Sequence, residues 1–450
     1  MGHLSESTFS TAFSIAEQYD KSGKDFLKAM IGAQEVTGRL SAYIANGPQQ
    51  GHMRSYLHRA GGALATGLLL DCSEKVIATA ISIALSMPEF SLYPASYSPE
   101  TKVICTSSPT VSGIKALLFA IEGFEGTLDI IENPLGFLTY FSYSDRKPEM
   151  WKHLGKSWLT NTFSAKEFSS CAYAQAPVQA TLNAIQGVRS LNPDEIRKVE
   201  IDAPITTVVM EKFSKPHYKS FLTPVNINFS TKRSVAVTIL FGAPTGSFYY
   251  AGNLIGKLSA IENLASKCIL NHSWEMTIAM AKGFDKGLLG AGKPGVLSMD
   301  SVGTSLSKFN EAFGSQKFFQ LNDIPKILKV KRNDRNYLIN RYWKSIRPML
   351  PFLNAYNKSQ YYSYEGDLEK MEFCFPSRVQ IILNNGAIMD GYCCQPNGFA
   401  GSEIKAETII KKYFRETITL WGKEKSTAIK NMIDCLEDIS VRDLIAKIKE

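Results

Sequence analysis

Apolar residues recur at helical spacing from Thr8 to Glu17, stop at Ser22-Gly23-Lys24-Asp25, and resume at Phe26, Met30, Ile31, Ala33, Val36 and Leu40. That spacing predicts helices across 8–45, interrupted once where glycine and charge break it. Gly61 to Leu70 predicts a helix rich in small residues, with His52 just ahead of it. Ser73-Glu74 is a start signal for a helix from Val76 to Leu85. Val111 to Phe124 gives another, closed by Gly126. Small residues along these helices let neighbouring backbones come close.

The pattern changes near residue 163. Val199-Glu200-Ile201-Asp202-Ala203 alternates as a strand does, and Thr206 to Met210 is a β-branched stretch of the same character. Arg233 to Phe241 fits strand or helix. Met371 to Phe375 and Val379 to Leu383 read as strands, the second leading into Asn384-Asn385-Gly386, a hairpin turn signal. Residues 405–450 return to helix, with Ile409, Tyr413, Ile429, Met432 and Leu436 on apolar faces. Between lies an irregular stretch, about 270–365, with five glycines from Gly283 to Gly295 and tyrosines at 356, 361, 362 and 364. The pattern predicts a mainly α chain with an α+β second part.

At 450 residues and 44% hydrophobic composition, the chain can bury a large core. The net charge of +8 is concentrated: Lys326, Lys329, Lys331, Arg332, Arg335, Arg341, Lys344 and Arg347 face the single acid Asp334. No nucleic-acid module accompanies this run, so it reads as a solvated basic face and no nucleic-acid partner is expected. The eight cysteines form no C-x-x-C pair and no zinc spacing, which leaves reduced thiols as the expectation and no metal. The N-terminus has neither a basic n-region nor an apolar h-region, and Glu6 stands where a myristoylation motif wants Ser or Thr. No apolar run is read as long enough to cross a bilayer. The expected location is cytoplasmic, or mitochondrial if a longer N-terminus exists.

Two nucleotide-binding patterns fail on context. Gly287-Leu288-Leu289-Gly290-Ala291-Gly292-Lys293-Pro294 approximates a phosphate loop, but Pro294 replaces the hydroxyl residue that binds magnesium and lacks an N–H. The preceding Trp274 to Lys282 reads as a helix where a strand is required. Gly290 to Gly295 spells G-x-G-x-x-G and fails on the same ground.

Several segments together resemble the MmgE/PrpD family, whose members include 2-methylcitrate dehydratase and cis-aconitate decarboxylase. The similarity is carried by His3-Leu4-Ser5-Glu6, by Ser22-Gly23-Lys24-Asp25-Phe26-Leu27, and most specifically by Gln34-Glu35-Val36-Thr37-Gly38-Arg39-Leu40. It continues through the His52 segment, Thr101-Lys102 with Ser112 to Ala116, Asn133-Pro134-Leu135-Gly136-Phe137, and Leu154 to Trp158 up to Ala165-Lys166-Glu167-Phe168. Pro224 to Val237 and the C-terminal helices also align. Three departures stand out: the family's segment before His3 is absent from the alignment, Gln175 stands where a histidine is usual, and no lid tyrosine occurs near Val208.

The resemblance implies an all-helical domain (1–162 plus 406–450) and a smaller α+β lid (163–405) carrying an insertion at about 270–365. It implies a homodimer with the site at the domain junction. His3 and His52 fall on the family's active-site histidines; Lys102, on a lysine-bearing loop, and Lys166 fall on cationic residues that meet substrate carboxylates. The implied activity is a cofactor-independent lyase, dehydratase or decarboxylase, on a small di- or tricarboxylic acid. Alternatives are an isomerase or cyclase of a larger metabolite on the same fold, and a non-catalytic homologue or binding subunit. Taken without the resemblance, His52 reads as a helix cap or surface residue, Lys102 and Lys166 as surface lysines, and His58, His153, His217 and His272 as structural.

Overall fold

Helices dominate the first part of the chain. The structure, a computed structural model, describes residues 3–44, 55–89, 91, 95, 101–141, 151, 154–188, 191–213, 222–288, 324–337 and 371–450. Helices α1 (Ser5–Gln18), α2 (Gly23–Tyr43), α3 (Ser55–Leu69), α4 (Glu74–Ser86) and α5 (Thr101–Ile121) pack on one another. Ser73 caps α4 as its position suggests, its hydroxyl accepting the Val76 N–H. At the start of α2 the Ser22 hydroxyl accepts the Asp25 N–H and donates to the Asp25 carboxylate.

Two helices begin earlier than their apolar spacing indicates. Helix α3 starts at Ser55 rather than Gly61, and α5 at Thr101 rather than Val111 and runs through Pro109. The early turns of α5 hold Thr106, Ser107, Ser108 and Thr110, whose polarity hides the helical period. Lys102 therefore sits in the first turn of a helix, not on a loop. The extra turns also correct the bilayer expectation: over its best 18-residue window α5 has a mean hydropathy of 1.4, long and apolar enough to span, though 44% of that window is buried. Its buried face packs on α3 and α4. The α3–α5 crossing depends on glycine: a Cβ at Gly113 would lie 1.9 Å from the Arg59 carbonyl oxygen, and one at Gly62 2.4 Å from that of Thr110.

The second part is built from α6 (Gln175–Ala184), β1 (Ile196–Ala203), α7 (Ile205–Phe213), α8 (Thr231–Phe241), α9 (Leu258–Ser266), β2 (Cys268–His272), α10 (Trp274–Leu288), β3 (Ser377–Leu383) and β4 (Ile388–Cys393). The sheet is mixed, in the order β2-β1-β3-β4, with β1 parallel to β2 and antiparallel to β3. Ile201 sits at its centre, opposite Leu270 on one side and Val379 on the other. Ala176 and Ala180 of α6, Val235 to Val237 of α8 and Ile261 of α9 cover the sheet with Val199, Ile201 and Ile381 in one core. The hairpin forms at Asn384-Asn385-Gly386, with Gly386 at φ 86° and Leu383 N bonded to Ala387 O.

Two strand expectations need correction, and one open reading is settled. Thr206 to Met210 is helical. Pro204 supplies no N–H to extend β1, and its carbonyl instead accepts the amides of Thr207 and Val208, starting α7. Thr207 and Met210, three apart, then face inward. Met371 to Phe375 is extended but makes no ladder; Phe373 N bonds to Ala400 O, and Pro376 breaks the run before β3. Arg233 to Phe241 resolves as helix, because Ser230 caps it at the Arg233 N–H. Strand β2 was not anticipated; it is short, and its residues alternate between buried and exposed.

The chain ends in α11 (Lys405–Asp434), broken at Gly422, and α12 (Val441–Lys449). Ile429, Leu436, Val441, Leu444 and Ile445 share a core with Ala12 and Ala16 of α1, Phe26 and Ala33 of α2, and Leu64 of α3. The C-terminal helices thus close the helical part while α11 reaches across to the other. Helix α10 occupies the place where a phosphate loop would need a strand; residues 289–300 and the last three basic residues of the run, Arg341, Lys344 and Arg347, lie outside the described residues.

Candidate active site at the junction of the two parts

His3 sits one turn ahead of Glu6 at the start of α1, so both side chains emerge on one side of the helix. His3 Nδ1 lies 3.2 Å from Glu6 Oε1. Thr106 of α5, one turn beyond Lys102, donates its hydroxyl to Glu6 Oε2 at 3.1 Å. Helices α1 and α5 thereby bring His3, Glu6, Thr106 and Lys102 to one edge of the helical part. Glu6 was missed in the sequence, although its spacing from His3 was the available signal.

Lys166 comes from the other part. Its loop, 163–171, is short of regular structure but heavily braced. Gln175, fully buried, accepts the Phe168 N–H at 3.0 Å, and its Nε2 donates to Phe168 O at 3.0 Å and to Ser170 Oγ at 2.8 Å. Ala165 N bonds to Gly398 O, Ser169 N to Pro244 O and Cys171 N to Asn228 O. From α11, Lys412 Nζ donates to Lys166 O at 2.6 Å, Lys405 Nζ to Phe163 O at 3.1 Å, and Arg415 to Glu167 O. The glutamine found in a histidine's place is therefore a brace for the Lys166 loop.

These groups interact across the junction. Burial lowers the His3 pKa below 6.5; Glu6 opposes this, while Lys166 and Lys102 add to it. Burial pushes Glu6 up, but the hydrogen bond and charge of His3, the Lys102 ammonium and the Thr106 hydroxyl outweigh it and bring Glu6 down to about 2. Lys102 and Lys166 both also act on the Cys171 thiol, whose pKa burial raises. The Lys102 ammonium lies 5.7 Å from the centroid of Phe229, which packs with Cys171, Ala174 and Met210. His3, Lys102 and Lys166 are each half-buried, so solutes can approach them. Three of the four residues singled out in the sequence thus share one locus, fed by both parts of the chain. The fourth, His52, lies outside the described residues, as do His153 and His217.

The other histidines are engaged elsewhere. His58 is buried, with Nδ1 2.9 Å from Ser7 Oγ. His272 Nε2 lies 2.9 Å from Thr277 Oγ1, and its ring meets Trp274 edge to face. Among the described residues no group of three or more His, Cys, Asp and Glu side chains is arranged to hold a metal ion.

The low Glu6 pKa has a measurable consequence. The folded value, about 2, is below the usual 4.5, so the stabilisation is present above pH 4.5 and lost as pH falls through about 2. Denaturant titrations are expected to show a shallower loss of stability from pH 4.5 downwards in Glu6→Gln than in the wild type. Parallel curves would contradict the assigned environment of this carboxylate.

Residues 1–149 match the family model of the MmgE/PrpD N-terminal domain. A comparison with curated proteins finds no match.

Proposed function

We propose that the chain, whose residues 1–149 match the MmgE/PrpD N-terminal domain of a family of dehydratase-like enzymes, is a cofactor-independent lyase for a small di- or tricarboxylic acid. This reading is supported by the charges of Lys102 and Lys166, from opposite sides of the junction, which both act on His3. Lys102 and Lys166 are suited to hold carboxylates. Removing a proton beside a carboxylate, or losing CO2, builds negative charge on carbon and oxygen, and fixed cations stabilise that charge where it forms.

His3 has the character of the proton carrier. Ionised Glu6 can only accept hydrogen bonds, so the imidazole presents Nδ1–H to it, and Nε2 is the nitrogen that would take a proton. A lowered pKa favours the neutral, basic form of the ring at neutral pH. The family resemblance gives His52 the complementary proton-moving role. In this reading Glu6 and Thr106 are positioning residues for His3.

Carboxylate binding tests the clamp. Citrate and cis-aconitate are expected to raise the melting temperature of the wild type. Each hydrogen bond to a charged group contributes about 1.5–3 kcal/mol. Lys102→Ala and Lys166→Ala should therefore each weaken binding by roughly ten- to a hundredfold, read by calorimetry. Equal affinity in all three proteins overturns the assignment; tight binding only of a larger metabolite favours an isomerase or cyclase on the same fold.

The homodimer reading has support on α5. Ile104, Val111 and Leu118 are exposed at seven-residue intervals, beside exposed Val103 and Phe119. Such a face suits burial against a second copy. Sedimentation is expected to give the mass of a dimer, and a monomer at micromolar concentration would reject it.

A further inference from the structure

Away from this locus, two thiols touch. Cys374 lies in the extended segment before β3, and Cys394 directly follows β4. Their Sγ atoms are 3.5 Å apart, and Cys374 Sγ donates to the Cys394 carbonyl at 3.1 Å. All eight cysteines are free thiols. The backbones on either side are already fixed. Glu372 N bonds to Gly283 O and Phe373 N to Ala400 O, while Gln395 Nε2 donates to Ala400 O at 2.6 Å. A disulfide needs the sulfurs to close from 3.5 Å to about 2.05 Å.

The two thiols are unequally placed. Cys394 is exposed and Cys374 buried beneath it. An oxidant therefore meets Cys394 first, with a second thiol already in contact to resolve the product. Cys393, adjacent in sequence, is not the natural partner: its side chain belongs to the core of the sheet, whereas the Cys374 sulfur touches that of Cys394.

We propose that Cys374 and Cys394 form a reversible disulfide in response to hydrogen peroxide. The Cys394 sulfur attacks one peroxide oxygen, the O–O bond breaks, and the thiol proton leaves with the other oxygen as water. Cys374 sulfur then attacks the Cys394 sulfenic acid; the S–O bond breaks, an S–S bond forms, and the Cys374 proton leaves with the hydroxyl as a second water. Two thiols are oxidised and one peroxide is reduced. A dithiol such as dithiothreitol reverses it by thiol–disulfide exchange, itself becoming the disulfide.

The link would lie behind the Lys166 loop. The turn that follows Cys394 holds that loop through Ala165 N to Gly398 O, Ala400 N to Ser164 Oγ at 2.9 Å, and Asn397 Nδ2 to Glu167 Oε2 at 3.1 Å. The site nonetheless stands apart from the lyase reading, because its test reads peptide masses and not turnover.

The full chain is reduced, freed of reductant, treated with about a tenfold excess of hydrogen peroxide, alkylated and digested with trypsin without reduction. Residues 371–378 should appear joined to residues 379–405, two hydrogens lighter than the separate peptides, and should separate with dithiothreitol. Fragmentation should assign the bond to Cys394, and Cys393→Ser should keep it. Complete alkylation of Cys374 after peroxide, or a bond to Cys393, would overturn the proposal. Because the wild-type map decides alone, the result does not depend on a variant folding.

Discussion

Glu35→Ala is expected to destabilise the protein by about 3–5 kcal/mol, the usual cost of stripping one partner from a buried ion pair. Glu35 and Arg39 lie one turn apart on α2, with their side chains 3% and 1% exposed and Arg39 Nη2 3.6 Å from Glu35 Oε2. Both also reach out of the helix. Glu35 Oε1 accepts the Thr160 N–H at 2.7 Å, and Arg39 Nη2 donates to Ser157 O at 2.6 Å. Alanine would remove the carboxylate paired with the buried guanidinium and leave the Thr160 amide without the Glu35 acceptor. Glu35→Gln keeps an acceptor for Thr160 and should cost less. Chemical unfolding measures both; a loss below about 1 kcal/mol for the alanine variant would mean that water replaces the carboxylate, and the clamp would lose its assigned weight.

This clamp explains the most specific part of the sequence resemblance. The run Gln34 to Leu40 holds no candidate proton carrier at the site. Instead it fastens the 157–160 segment, through which the chain passes towards the Lys166 loop. Gly38 belongs to the same contact: a Cβ there would lie 2.0 Å from Leu159 Cδ2. The signature is architectural, and it acts on the site by fixing where the second part of the chain begins.

The second large effect concerns His3. In a protein turning over a di- or tricarboxylic acid, His3→Gln should lower kcat by about 10²–10⁴-fold, the range for removing a general acid or base. The pH profile separates proton transfer from simple structural damage. His3 works as a base when neutral, and its pKa is lowered, so the acid limb of kcat/KM should fall below pH 6.5. Glu6 raises the His3 pKa by its hydrogen bond and charge, so Glu6→Gln should move that limb further down. An unmoved limb in Glu6→Gln, or near-normal kcat in His3→Gln, would remove His3 from the proposed chemistry.

Helices α1, α2 and α4 were legible because their apolar period is clean and serine caps mark two of the starts. The start of α5 was not, since threonine, serine and Pro109 fill its first turns; the loop placement of Lys102 came from the resemblance, and the helix corrects it. At Thr206 to Met210, local β-branching pointed to a strand, but Pro204 and the inward spacing of Thr207 and Met210 decided for helix. Strand β2 depends on pairing with β1, a long-range contact that a five-residue stretch does not announce. At the site, the resemblance supplied His3, Lys102 and Lys166, whereas their convergence required α1, α5 and the braced loop to fold together. Glu6 was within reach of helical spacing. The bracing role of Gln175 was not, because it comes from carbonyls and amides that its loop turns inward.

The central claim is that His3 exchanges a proton with carbon beside a carboxylate held by Lys102 and Lys166. Proton NMR in deuterium oxide tests it directly, with citrate, cis-aconitate and 2-methylcitrate offered in turn to the wild type and to the double variant Lys102→Ala/Lys166→Ala. The account predicts that at least one acid loses its C–H signal next to a carboxylate, by exchange or conversion, with the wild type and not with the double variant. Unchanged spectra for all three acids with the wild type, or equal loss with both proteins, would contradict it.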